Sequence, residues 1–121
     1  MQENDTLSFV SATIKSIWAL ELLLLMRRTG ERSWTAEELV RELRASTLVV
    51  HEALSGLTHA GLVAADETAL FSYRPASGHL AKFVDEIQSL YLAKPLAVIN
   101  AIAAAPNEKL RIFADAFRLK D

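Results

Sequence analysis

Residues 35–63 read TAEELVRELRASTLVVHEALSGLTHAGLV, and this stretch decides the fold of the 121-residue chain. Thr35 opens T-A-E-E, a capping box in which the Thr35 hydroxyl and the Glu38 carboxylate satisfy orphan amides at a helix start. Trp34 before the cap and Leu39 at the fourth helical position have the spacing of a hydrophobic staple. The helix would turn Leu39, Val40 and Leu43 inward and end near Arg44. Ser46 then caps a second helix over 47–60, with Val50, Ala53, Leu54 and Leu57 as its inner stripe and Gly61 as its stop. Only the turn 44–46 separates the two helices.

Working outward from this pair, residues 62–65 and 69–74 are short apolar or β-favouring runs around Asp66, Glu67 and Thr68. They predict a small hairpin that Pro75 ends, although no Asn-Gly turn signal is present. Upstream, Val10, Ile14, Ile17, Trp18, Leu24 and Leu25 recur at helical spacing, predicting one helix over 8–29 stopped by Gly30. Downstream, Ser77 caps a helix over 78–93 carrying Leu80, Phe83, Val84, Ile87, Leu90 and Tyr91 along one side. Pro95 suits the first turn of a helix over 95–105. Asn107 caps a last helix with Leu110, Phe113, Ala114 and Phe117. The expected fold class is mainly α: a winged helix-turn-helix with a small β-hairpin wing and additional terminal helices, forming one domain over 1–121.

Composition bounds what such a fold can do. Hydrophobic residues make up 51% and charged residues 23%, an ordinary globular balance that excludes collagen-like and largely disordered classes. The absence of cysteine excludes disulfides, thiolate metal sites and a cysteine nucleophile. The apolar run over 17–26 contains Glu21 and is about half the ~20 residues a membrane span needs, and the polar, acidic start is unlike a signal peptide. A cytoplasmic location is expected, with no membrane partner.

The quoted stretch resembles the core of MarR-like and related bacterial winged-helix regulators, in which A-G-L-V leads from the recognition helix into the wing. The resemblance covers residues 35–75. The tail NEKLRIFADAFRLKD is similar to that of small uncharacterised bacterial winged-helix proteins. What the resemblance implies is transcription regulation by a DNA-binding homodimer whose helix 47–60 enters the major groove. Thr47, His51 and Ser55 would lie near bases, and Arg27, Arg28, Arg44 and Arg74 near phosphates.

Charge qualifies that expectation. Over 35–79 six acids face three bases, so this segment carries −3, against 0 over 1–34 and +1 over 80–121. With Val50, Leu54 and Leu57 inward, the outward set of the helix is Thr47, Leu48, Val49, His51, Glu52, Ser55 and Thr58, without Lys or Arg. DNA-binding relatives commonly place an arginine near the position of Glu52. A second expectation therefore stands beside the first: a protein-interaction module that retains the winged-helix scaffold and uses the face around Leu48, Val49 and Glu52. Arg27, Arg28 and Arg32 cluster at the end of the first helix. Arg41, Arg44 and Arg74 flank the motif.

Chemistry of other kinds finds little footing. His51 and His59 lie eight residues apart on one helix, about 12 Å of rise, too far to share an ion. Ser55 and His59 are one turn apart, yet no orienting acid or oxyanion donor accompanies them. No phosphate loop or cofactor box is present, so the expectation is a non-enzyme without metal or cofactor. The terminal helices carry a surplus of apolar positions. Ile14, Trp18, Phe83, Ile87, Tyr91, Val98 and Ile102 belong either to a symmetric dimer seam or to the core of a single chain.

Overall fold

The computed structural model describes residues 2–104. Among them the chain is mainly helical, with α1 Glu3–Thr13, α2 Ile17–Arg28, α3 Ala36–Leu43, α4 Thr47–His59, α5 Gly78–Ala93 and α6 Pro95–Ala104. Strands β1 Val63–Ala65 and β2 Phe71–Tyr73 form one two-stranded antiparallel sheet, in which Val63 faces Tyr73 and Ala65 faces Phe71. The helix expected from Asn107 lies outside the described residues.

The expected single helix over 8–29 is two helices, α1 and α2, bent by 112° at residues 14–16. The cause is local. Ser16 is extended (φ −159°, ψ 162°) and its hydroxyl accepts a hydrogen bond from the Ala19 amide, starting α2 afresh. On the other side of the break, the Lys15 ammonium donates to the Ala12 carbonyl and caps α1. The bend lets Ile14 drop into the core, fully buried, and lays α1 against α5. At the far end of α2, Gly30 adopts φ +62°, the left-handed stop expected of it.

Five consecutive residues of α2, Leu22 to Met26, are buried, so this helix is covered on nearly all sides. It packs most extensively against α4, whose inner Val50, Ala53, Leu54 and Leu57 are all buried. Burying each of Val50, Leu54 and Leu57 contributes about 1.5–3 kcal/mol by leaving water. The capping box at Thr35 forms as the sequence predicts: the Thr35 hydroxyl accepts from the Glu38 amide, and the Glu38 carboxylate accepts from the Thr35 amide at 2.8 Å. Trp34 and Leu39 are both buried.

The hairpin is joined to the rest at both ends. The Trp34 and Phe71 backbones exchange two hydrogen bonds of 2.7 Å, adding an isolated bridge beside β2. At its base, the Arg74 amide donates to the Leu62 carbonyl and the Ala76 amide to the Gly61 carbonyl. The turn lacks an Asn-Gly pair because Asp66 takes over its work. Its carboxylate accepts from the Thr68 amide, the Thr68 hydroxyl and the Leu70 amide, while Ala69 takes up the left-handed conformation at φ +61°.

Candidate functional site

The α3–α4 pair presents an exposed, largely polar face on a buried frame. Two local devices set its geometry. Arg44 closes α3 in the left-handed conformation (φ 55°), and the Ser46 hydroxyl accepts from the Val49 amide to start α4 two residues later. The inner stripe of α4 then docks on α2, which leaves the opposite side in solvent. Thr47, Leu48, His51, Glu52, Ser55 and Thr58 are exposed and Val49 is half-buried, so the outward set read from the sequence is brought together on one surface. Leu48 is 67% exposed, a large apolar side chain at the leading end of the face. His51, Ser55, Thr58 and His59 share a shallow groove with Leu54 and with Phe71 of the hairpin.

The arginines expected near this face are in different states. Arg27 is held by Asp85 of α5, with its Nε at 3.0 Å and Nη2 at 2.9 Å from one carboxylate oxygen. Arg32 pairs with Glu38 at 3.2 Å and lies over the Trp34 ring, 3.6 Å from its centre. Arg28, Arg41, Arg44 and Arg74 are exposed and in no ion pair among the described residues. Arg41 lines the groove between α3 and α4 with Thr47 and His51. Arg74 lines a notch at the hairpin's base with Gly30, Ser33 and Tyr73. α4 itself carries neither Lys nor Arg.

The apolar residues left open between a dimer seam and the core of one chain divide sharply. Ile14, Ile87, Val98 and Ile102 are buried within the single chain, the last at 4% exposure. Phe83 is half-buried and stacks on Phe9 of α1 with ring centres 4.5 Å apart. The Tyr91 hydroxyl donates to the Glu21 carboxylate at 3.0 Å, joining α5 to α2, and burial together with that bond pushes its pKa up. Trp18 remains 41% exposed. Leu92 and Leu96, at the corner between α5 and α6, are 77% and 71% exposed.

Two features escaped the sequence reading. The Tyr73 hydroxyl, enclosed beside the Arg27–Asp85 pair, has no hydrogen-bond partner among the described residues, and burial raises its pKa. A cleft of about 150 Å³ also opens between the α1–α2 bend and α4, lined by Lys15, Trp18, Val49, Glu52 and Gly56 among others. The one available signal for it was Gly56, a poor helix former in the middle of α4. Compared with protein-family models, with characterised proteins and with solved structures, the chain gives no match.

Proposed function

We propose that the chain is a winged helix-turn-helix protein that binds DNA through α4 as a homodimer, in the manner of the MarR-like regulators that residues 35–75 resemble. The observation that carries this reading is the placement of α4. A tight turn after α3 and a hairpin directly after its own end hold it with one face on α2 and Thr47, His51 and Ser55 outward. In this reading the hairpin serves as the wing, and the Trp34–Phe71 bridge stands where a third strand would pair with it. Arg28, Arg41, Arg44 and Arg74 supply phosphate contacts around the helix, whereas Arg27 is spent on Asp85. The two copies meet through Trp18, Phe83 and Tyr91, extended by Leu92 and Leu96. Sedimentation at tens of micromolar checks the assembly, and a species of 13.4 kDa alone removes that part of the proposal.

A second reading is favoured by one observation: the α4 face joins an exposed Leu48 to Glu52 without a basic residue. Such a surface suits another protein, and the chain is then an interaction module. Affinity for duplex DNA as a function of salt separates the two. A DNA-binding face touching several phosphates loses affinity by powers of ten between about 50 and 200 mM salt, and Glu52→Lys strengthens non-specific binding. If duplex DNA is not retained at low salt by either form, the first reading fails and the interaction module stands.

A further inference from the structure

We propose that the cleft between the α1–α2 bend and α4 is a binding site for a free apolar α-amino acid. The cavity, about 150 Å³, is of the size that holds one small hydrocarbon ring or a branched alkyl group. Its walls are apolar, formed by Trp18, Ala19, Val49, Ala53 and Leu57. Gly56 completes them in an unusual way. It stands inside α4, where glycine costs roughly 1 kcal/mol of helix stability relative to alanine, and an added Cβ would meet no atom within 4 Å. Neither a positive φ nor a close backbone approach requires glycine here. Its effect is to leave open a volume that any other residue would begin to fill.

The polar lining supplies the rest of the recognition. Lys15 and Glu52 border the same cavity, one from the bend and one from α4, yet they form no ion pair with each other. The Lys15 ammonium donates one hydrogen bond, to the Ala12 carbonyl, which leaves two N–H groups to offer. Glu52 is exposed and has no hydrogen-bond partner among the described residues. A cation and an anion flanking an apolar hole match the carboxylate, ammonium and side chain of an apolar amino acid, and the hydroxyls of Ser16 and Thr13, which donate to no group among the described residues, add donors to the carboxylate side. A neutral hydrocarbon would leave both charges unused, and a simple anion or cation would satisfy one and be repelled by the other.

Titration calorimetry with L-leucine and L-phenylalanine tests the site on the intact chain. The expected result is saturable binding of at least one of them, weakened roughly tenfold or more in N-acetyl-leucine and in leucine amide, which lack the ammonium and the carboxylate charge respectively. Glu52→Gln should weaken leucine by a similar factor and leave N-acetyl-leucine unchanged. Gly56→Ala separates ligand binding from folding, because it raises the melting temperature through helix propensity while lowering leucine affinity by narrowing the cleft. The proposal is overturned if no binding is seen up to about 10 mM, if N-acetyl-leucine binds as tightly as leucine, or if Gly56→Ala raises stability without weakening the ligand.

Discussion

The segment running from Trp34 through the hairpin and the frame made of α1, α2 and α5 are held together by different kinds of information. In the first, the side-chain hydrogen bonds that start the helices and shape the turn lie within five residues: Thr35 with Glu38, Ser46 with Val49, Asp66 with Thr68 and Leu70. In the frame the side-chain links reach far along the sequence, Arg27 to Asp85, Glu21 to Tyr91 and Glu3 to Lys94. The difference teaches where local rules suffice. A capping box is written in four consecutive letters, whereas the partner of an apolar stripe is chosen by everything else in the fold.

The comparison breaks most visibly in the frame. Leu23→Ala, in the buried middle of α2, should cost about 2–5 kcal/mol by chemical denaturation, because it opens a cavity where Leu22 to Met26 are all buried. A loss below about 1 kcal/mol would mean that the frame is packed less closely than its burial indicates. The next effect compares two caps. Thr35→Ala and Ser16→Ala each remove a side-chain acceptor from a helix start and should cost about 1 kcal/mol. Thr35→Ala should leave helix content nearly constant. Ser16→Ala should likewise keep the bend, because the burial of Ile14 and the packing of α1 on α5 oppose a continuous helix, so helicity by circular dichroism should change little even as stability falls.

Smaller effects sharpen the local half. Ala69 holds φ +61° at the hairpin turn, and Ala69→Gly should raise stability by about 1 kcal/mol by relieving that strain. The acid response has a definite sign. Hydrogen bonds from the Leu70 amide and from Thr68 hold the Asp66 carboxyl below its ordinary pKa, and the Thr35 amide does the same for Glu38. A depressed carboxyl pKa adds stability above the unfolded value of about 4 and loses it as pH falls through the folded value. Stability should therefore be level through the neutral range and decline below about pH 4, with a shallower decline in Asp66→Asn.

The same contrast explains what was legible in the residues alone. The α3–α4 pair, the hairpin, and the boundaries of α5 rested on caps and stops that the structure places where the spacing puts them. The α1–α2 bend was not legible, because Val10, Ile14, Ile17 and Trp18 keep helical spacing straight through it. Ser16 was the only sign, and a serine inside an apolar periodicity reads as a tolerated surface residue until the core claims Ile14. The outward set of α4 was readable once its inner stripe was fixed. The engagement of Arg27 by Asp85 was not, since those residues lie 58 positions apart and neither marks the other. The burial of Ile14, Ile87, Val98 and Ile102 within one chain is likewise decided by packing across the frame.

Under the proposed reading, α4 and its flanking arginines form the DNA-contacting surface and the frame holds them in place. Amide chemical-shift mapping of the labelled protein with duplex DNA at about 50 mM salt tests this most directly. The account predicts shifts concentrated at Thr47, His51 and Ser55 and at Arg41, Arg44 and Arg74, fading as salt rises to about 200 mM. Absence of any shift at low salt, or shifts confined to the corner of Leu92 and Leu96, would contradict it.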